Sequence, residues 1–116
     1  MQACILQSRR NILAGKIEAY IGFCLRARKI ALGAGSIDVL NKDVYLIIVC
    51  SSASENTFKL ALKYKNRFSC PLIVCRTGLE NAVHKPSCKL AAIRDFQLAD
   101  AIVKNTDENY ELYTVR

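Results

Sequence analysis

The sequence has few of the groups that enzymes use for acid–base or nucleophilic chemistry. It contains one histidine, His84, and no tryptophan. That histidine has no paired carboxylate nearby in sequence, and no cysteine has a motif context that would lower its pKa. No GK[ST] motif follows Gly33 and Gly35, which excludes a Walker-type phosphate loop there. We therefore expect His84 to be a surface-loop residue rather than a catalytic one.

A long apolar run is also missing. A membrane-spanning helix needs about 18 or more consecutive apolar residues, and no stretch of the chain reaches that length. The first residues, MQACILQSRRNILAGK, lack the apolar core and cleavage context of a secretory signal. Most of the six cysteines lie inside apolar runs, as buried small hydrophobic residues do. These features predict a protein of the reducing cytoplasm that does not span a membrane.

A metal site is not expected either. The one cluster of possible ligands is Cys70, Cys75, His84 and Cys88. Cys70 and Cys75 are an odd number of residues apart across a predicted strand, so their side chains should point to opposite faces of the sheet. The sequence therefore predicts buried thiols, with no metal and no cofactor.

Basic residues outnumber acidic ones and are unevenly placed. The chain has 17 Lys and Arg against 10 Asp and Glu, a net charge of +7. Residues 1–94 hold 15 of the basic residues but only five of the acidic ones, so the body is basic and the C-terminal end acidic. This asymmetry favours a polyanionic partner such as RNA, DNA or an anionic membrane surface, although solubility alone would also explain it.

Two glycines in GAGSID, residues 33–38, follow a short apolar run and precede a predicted helix. Such a turn lets main-chain N–H groups approach a phosphate. A dinucleotide fingerprint would need a third glycine where Asp38 stands, and an acid after the next strand, which ends in Cys50, Ser51 and Ser52. The turn therefore does not predict a dinucleotide site.

Hydrophobic periodicity predicts helices alternating with strands. This order indicates an α/β domain with a mixed, mainly four-stranded sheet and helices on both of its faces. We assign residues 1–105 to a single domain and 106–116 to a polar, acidic tail that either frays or adds an edge strand through YELYTV. The predicted helices are 11–28, 36–41, 55–68 capped by Ser54, 78–84, and one capped by Asp95; the predicted strands are 29–32, 44–50, 71–75 and 89–93.

The turns at 33–36, 51–54 and 76–78 each follow a predicted strand. In a mainly parallel sheet they should gather at one edge, where open α/β sheets bind ligands. With Arg28, Lys29, Arg76 and Lys85 expected nearby, this edge would offer N–H groups, hydroxyls and cations suited to a phosphate backbone or unpaired bases. Ordinary solvated loops are the alternative.

Four stretches, IGFCLRARKIALG (21–33), VYLIIVCSSASENT (44–57), PLIVCR (71–76) and KLAAIRDFQLADAI (89–102), resemble the YlxQ-like bacterial branch of the ribosomal protein L-seven-Ae / L-thirty-e superfamily. The resemblance implies a three-layer α/β/α sandwich, no enzymatic activity, and binding of kinked or looped RNA. In that family the RNA lies at the start of the second helix, supported by the turn after the central strand and the loop before the last strand.

Gly33 takes the position of the family's glycine at the strand-to-helix turn. The Asn-Glu pair of kink-turn binders is absent, and the position of their lysine falls on Val39 or Asn41, with Lys42 the nearest lysine. These changes remove side chains that read a sheared G·A pair and leave backbone and charge. The candidate RNA-binding residues are Lys29, Gly33, Ala34, Gly35, Ser36, Lys42, Ser51, Ser52, Ala53, Arg76, Lys85, Pro86 and Ser87.

The leading hypothesis from the sequence is a non-catalytic protein that binds ribosomal or other structured RNA, with a protein partner in a ribonucleoprotein left open. A second hypothesis is a protein–protein interaction module on the same fold that has lost specific RNA binding. A small-ligand enzyme is the third.

Overall fold

Five helices and five strands alternate along the part of the chain that the computed structural model describes, residues 16–76 and 78–113. The first helix, α1, covers residues 16–27 of this part; the predicted residues 11–15 and Cys4 lie outside it. The remaining elements are β1 (Ile30–Leu32), α2 (Ala34–Asp38), β2 (Leu46–Cys50), α3 (Glu55–Phe68), β3 (Leu72–Cys75), α4 (Leu79–Ala82), β4 (Leu90–Ile93), α5 (Phe96–Lys104) and β5 (Tyr110–Leu112).

Side-chain caps fix the starts of the two longest helices after α1. The Ser54 hydroxyl accepts a hydrogen bond from the Thr57 N–H at 3.2 Å, and the Asp95 carboxylate accepts one from the Leu98 N–H at 3.0 Å. Each cap satisfies an amide that has no partner inside the helix. The predicted bounds of α3 and both predicted caps are therefore confirmed.

The helix predicted over 36–41 begins earlier than expected, at Ala34. Gly33 adopts φ +86°, a conformation that favours glycine, and the chain turns directly into the helix after it. The helix ends at Asp38, so Lys42 lies beyond it rather than on its next turn.

The sheet is mixed, as predicted, but it has five strands rather than four. Its order is β1-β4-β2-β3-β5, and β2 and β3 are the parallel pair, while β1, β4 and β5 each pair antiparallel with a neighbour. The additional strand comes from YELYTV, where Tyr110 pairs with Cys75. Of the two alternatives predicted for this segment, fraying or an edge strand, the structure shows the edge strand, of which only Tyr110 is buried.

Alternate residues of β2 belong to two separate buried clusters, which explains why this strand is apolar throughout. Leu46, Ile48 and Cys50 pack with residues of α1, α4 and α5, whereas Ile47 and Val49 pack with residues of α2 and α3. A strand covered on both faces has no polar side to present to water. Cys70 and Cys75 fall in different clusters, as their odd spacing predicts, and all five described cysteines are buried.

Candidate nucleic-acid interface

The C-terminal ends of β1, β2 and β3 and the N-terminal end of β4 lie side by side. Together these strand ends form one edge of the sheet. Three main-chain hydrogen bonds of 2.8 Å join them: the Gly33 N–H to the Leu90 carbonyl, the Cys50 N–H to the Lys89 carbonyl, and the Ser51 N–H to the Cys75 carbonyl. We call this edge the rim; it comprises residues 33–36, 51–54, Arg76, Gly78 and 85–89. The predicted convergence of the turns is confirmed although the sheet is mixed, because β1, β2 and β3 all run in the same direction. Antiparallel β4 brings its preceding loop to the same edge.

Of the candidate residues, the rim contains Gly33, Ala34, Gly35, Ser36, Ser51, Ser52, Ala53, Arg76, Lys85, Pro86 and Ser87. Lys29 and Lys42 lie at the opposite edge, as does Arg28. The Arg94 N–H donates to the Lys29 carbonyl at 2.7 Å, and the Arg94 guanidinium to the Lys42 carbonyl at 3.5 Å. The prediction that Arg28 and Lys29 supply charge near the glycine turn is therefore wrong, since β1 carries the chain roughly 13 Å along the strand direction between Lys29 and Gly33.

The glycine turn leaves its backbone open to a partner. A Cβ added at Gly33 or Gly35 would meet no heavy atom within 4 Å, and Gly35 and Ser36 are exposed. Behind the turn, the Tyr64 hydroxyl donates to the Ala34 carbonyl at 3.3 Å and joins α2 to α3. The turn is thus supported from inside the molecule and uncovered outside.

A concavity of about 200 Å³ lies between the glycine turn, the start of α3 and the loop before β4. Its walls combine main chain, hydroxyls and two lysines. The lining residues are Gly33, Ala34, Thr57, Lys85, Ser87, Cys88, Lys89 and Leu90.

Lys89 organises the loop side of this concavity. Its ammonium group donates to the Ser52 hydroxyl at 2.8 Å and to Glu80 at 3.1 Å, and the second carboxylate oxygen of Glu80 accepts the Ser87 N–H at 3.1 Å. The hydrogen bond from Lys89 lowers the pKa of the Glu80 carboxyl and, in return, raises the pKa of Lys89. Lys89 is not among the residues predicted from the sequence, although its position four residues after Lys85 in the same loop region is a usable signal.

Cys50 shares this network. Burial opposes ionisation of its thiol, but hydrogen bonding with Ser52, main-chain hydrogen bonds and the charge of Lys89 outweigh that effect and lower its pKa. The Cys50 sulfur lies 3.1 Å from the Ser52 hydroxyl. No sequence motif indicates this effect on Cys50, because the fold alone brings Lys89 close to it.

The rim has less free positive charge than the sequence suggested. The Arg76 guanidinium donates two hydrogen bonds, of 2.9 and 2.6 Å, to one carboxylate oxygen of Glu111 on β5. Lys89 is paired with Glu80, whereas Lys85 makes no ion pair with any residue in the described part of the chain. Lys85 is therefore the rim cation best placed to meet a ligand phosphate.

Within residues 16–76 and 78–113, no group of three or more His, Cys, Asp or Glu side chains is placed to hold a metal ion. Across the same residues, no helix is both long enough and apolar enough to cross a bilayer.

No protein-family model and no curated protein matches this sequence. The fold is similar to that of a solved structure described as a protein with unknown function from Bacillus halodurans C. The two share 21% sequence identity and a TM-score of 0.65, over 77% of this chain and 94% of the other. This similarity concerns the fold alone.

Proposed function

We propose that this protein is a non-catalytic RNA-binding protein that contacts structured RNA, ribosomal RNA among the candidates, through the rim. The observation that carries the proposal is the meeting of an open glycine backbone, the Thr57 and Ser87 side chains and two lysines around one concavity. Main-chain N–H groups, hydroxyls and lysines are the groups that proteins use to bind phosphates and the 2′-hydroxyls of RNA.

The same proposal places the chain in the YlxQ-like branch of the L-seven-Ae / L-thirty-e superfamily, with a three-layer α/β/α sandwich and a cytoplasmic location. The two buried clusters, each formed by helices against alternate residues of β2, support the sandwich. Since the Asn-Glu pair is absent, we propose contacts to the RNA backbone and its shape rather than to a sheared G·A pair.

Binding of a fluorescein-labelled stem–loop RNA, measured by anisotropy between 50 and 200 mM KCl, tests this proposal. Gly35→Asp adds a carboxylate to the open turn and should weaken binding by about tenfold or more, because it repels phosphate and blocks the backbone. Lys85→Glu should weaken binding and flatten the salt dependence, since one phosphate contact is lost. Absence of RNA affinity at 50 mM KCl would refute the proposal.

Lys63→Glu is the matched control for Lys85→Glu. Lys63 is exposed on α3, away from the rim concavity, so the same charge reversal there should change affinity by less than about threefold. Equal effects of the two reversals would mean that only net charge attracts the RNA.

A protein–protein interaction module is the second candidate function, and the pairing of Arg76 with Glu111 and of Lys89 with Glu80 favours it. Rim cations that are already neutralised offer less to a polyanion. Because the chain lacks tryptophan, the ratio of absorbance at 260 and 280 nm of the purified protein separates the two functions. Co-purified nucleic acid would raise this ratio strongly.

A further inference from the structure

The edge of the sheet opposite the rim gathers basic residues that are distant in sequence. Arg94, which follows β4, holds them together through main-chain contacts. Its N–H donates to the Lys29 carbonyl at 2.7 Å, and its guanidinium donates to the Asp43 carbonyl at 3.3 Å and the Lys42 carbonyl at 3.5 Å. The ammonium groups of Lys29 and Lys42 make no ion pair with the described residues.

Positive charge is in excess at this opposite edge. The Asp38 carboxylate forms an ion pair with Arg67 at 3.3 Å, and the Asp95 carboxylate accepts a hydrogen bond from the Leu98 N–H at the start of α5. The carboxylate of Asp43 accepts a hydrogen bond from the Tyr45 hydroxyl at 3.4 Å. The cations at or beside this edge are Arg28, Lys29, Lys42, Lys65, Arg67, Arg94 and Lys104, against the carboxylates Asp38, Asp43, Asp95 and Asp100, the last of which pairs with Lys104 and lines a cleft beside Phe96.

An exposed aromatic ring stands within this basic surface. Phe96, the first residue of α5, is 64% exposed, and its ring meets that of Tyr45 edge to face with centroids 5.6 Å apart. A cleft of about 430 Å³ adjoins the pair and is lined in part by Asn41, Lys42 and Arg67. A smaller cleft along α5, of about 130 Å³, also includes Tyr45 and Phe96. The ring pair thus borders two depressions; the Phe96 ring is exposed, whereas Tyr45 is partly buried against the core.

We propose that this opposite edge is a second binding site that takes a single-stranded nucleic acid, separate from the rim. An unpaired base stacks on Phe96, which Tyr45 holds in place, and the flanking phosphates lie on Lys42 and Lys29. Single-strand binding proteins combine aromatic platforms with a positive surface in this way, because every base has a stacking face and every nucleotide a phosphate. The excess of cations matches this occupant better than an apolar or basic protein surface.

A tryptophan substitution provides a direct readout of stacking. Phe96→Trp gives the chain its only tryptophan, at an exposed position that should accept the larger ring. Addition of the oligonucleotides U12 or dT12 should quench its fluorescence as a base stacks on the indole. An equal response to both would indicate recognition of the base and phosphate common to RNA and DNA, and a response to U12 alone would indicate that the 2′-hydroxyl is read.

Anisotropy of fluorescein-labelled U12 with the full chain gives the affinities. Phe96→Ala should weaken binding by about fivefold or more, and Lys42→Glu by about tenfold with a shallower salt dependence. Lys63→Glu, the same charge reversal at an exposed position of α3 that lines neither cleft, should stay within about twofold of the unmodified protein, because its charge does not lie beside the Phe96 ring. Circular dichroism checks that each variant is folded.

Three results would overturn this second site. The first is an unchanged U12 affinity in both Phe96→Ala and Lys42→Glu, and the second is unquenched fluorescence of the tryptophan variant at saturating U12. The third is competition by a poly-glutamate peptide that is as strong as competition by unlabelled U12, which would indicate that an acidic protein segment binds there instead. This second site does not depend on the proposed function. If the protein binds U12 through Phe96 but does not bind folded RNA through Lys85, the second site stands and the proposal for the rim fails.

Discussion

The carboxylate of Asp38, at the end of α2, lies 3.3 Å from the guanidinium of Arg67, in the last turn of α3. The same guanidinium donates to the Asp38 carbonyl at 3.2 Å and lies 5.0 Å from the centre of the Tyr64 ring. A helix of five residues is too short to be stable alone, so these contacts hold α2 against α3. Asp38, which argued against a phosphate cradle in the sequence, is engaged within the protein.

Arg67→Met should therefore loosen α2 more than it destabilises the whole fold. The pair is partly exposed, so we expect a loss of about 0.5–1.5 kcal/mol in the free energy of unfolding from the lost pair and ring contact. Hydrogen exchange of the Ile37 and Leu40 amides, which bond to the Gly33 and Ile37 carbonyls, should accelerate. Lys63→Met is the control, and equal exchange in both variants would contradict the role of Arg67.

Tyr110→Ala should be among the most destabilising single changes, because Tyr110 is 1% exposed. Removing a buried aromatic ring costs about 3–5 kcal/mol. Tyr110→Phe keeps the ring and loses the hydrogen bond to Glu18, so its cost should be about 1 kcal/mol. Leu112→Ala, on the same strand but exposed, is the control. Urea denaturation measures all three, and a mild Tyr110→Ala would mean that β5 adds little to the sheet.

Local pattern predicted the long elements well and the distribution of charge poorly. Residues 55–68 carry both an amphipathic period and a capping serine, which fix a helix without any tertiary information. The meeting of the turns at the rim could also be predicted from the order of elements along the chain, since each polar turn comes directly after an apolar run. These features depend on neighbours in sequence, where periodicity carries the signal.

Pairings across the sheet could not be predicted in this way. Arg76 meets Glu111 across 35 residues, and Lys89 meets Ser52 across 37, so neither contact leaves a local signal. Lys29 is close to Gly33 in sequence but lies at the other edge of the sheet because a strand separates them. Charge counted along the chain therefore placed cations at the rim that the fold places opposite it.

Cys50 should ionise at lower pH than Cys24 and Cys70. Burial is the main cause that raises the pKa of each of the latter two thiols to about 11, whereas hydrogen bonds involving Ser52 help to lower that of Cys50. Titration of thiolate absorbance at 240 nm should lose its early phase in Cys50→Ser and keep it in Cys70→Ser. In Ser52→Ala the early phase should move to higher pH. Loss of the same early amplitude in Cys50→Ser and in Cys70→Ser would contradict the assignment.

The Glu80–Lys89 pair should make stability depend on pH on the acid side. Hydrogen bonding from Lys89 lowers the pKa of the folded Glu80 carboxyl below its ordinary value of 4.5. Its contribution is thus fully present above pH 4.5 and is lost as the pH falls through the folded pKa, because the unfolded state binds the proton first. Glu80→Gln should reduce the loss of stability between pH 6 and pH 3, measured as the urea midpoint. Glu55→Gln is the control, because the Glu55 carboxylate lies 4.0 Å from Lys59, and it should leave this loss nearly unchanged. The same Glu80→Gln substitution should also speed hydrogen exchange of the Ser87 amide, because this amide donates to the Glu80 carboxylate. If both the acid dependence of stability and the Ser87 exchange rate match those of the unmodified protein, the pair has no structural role at the rim.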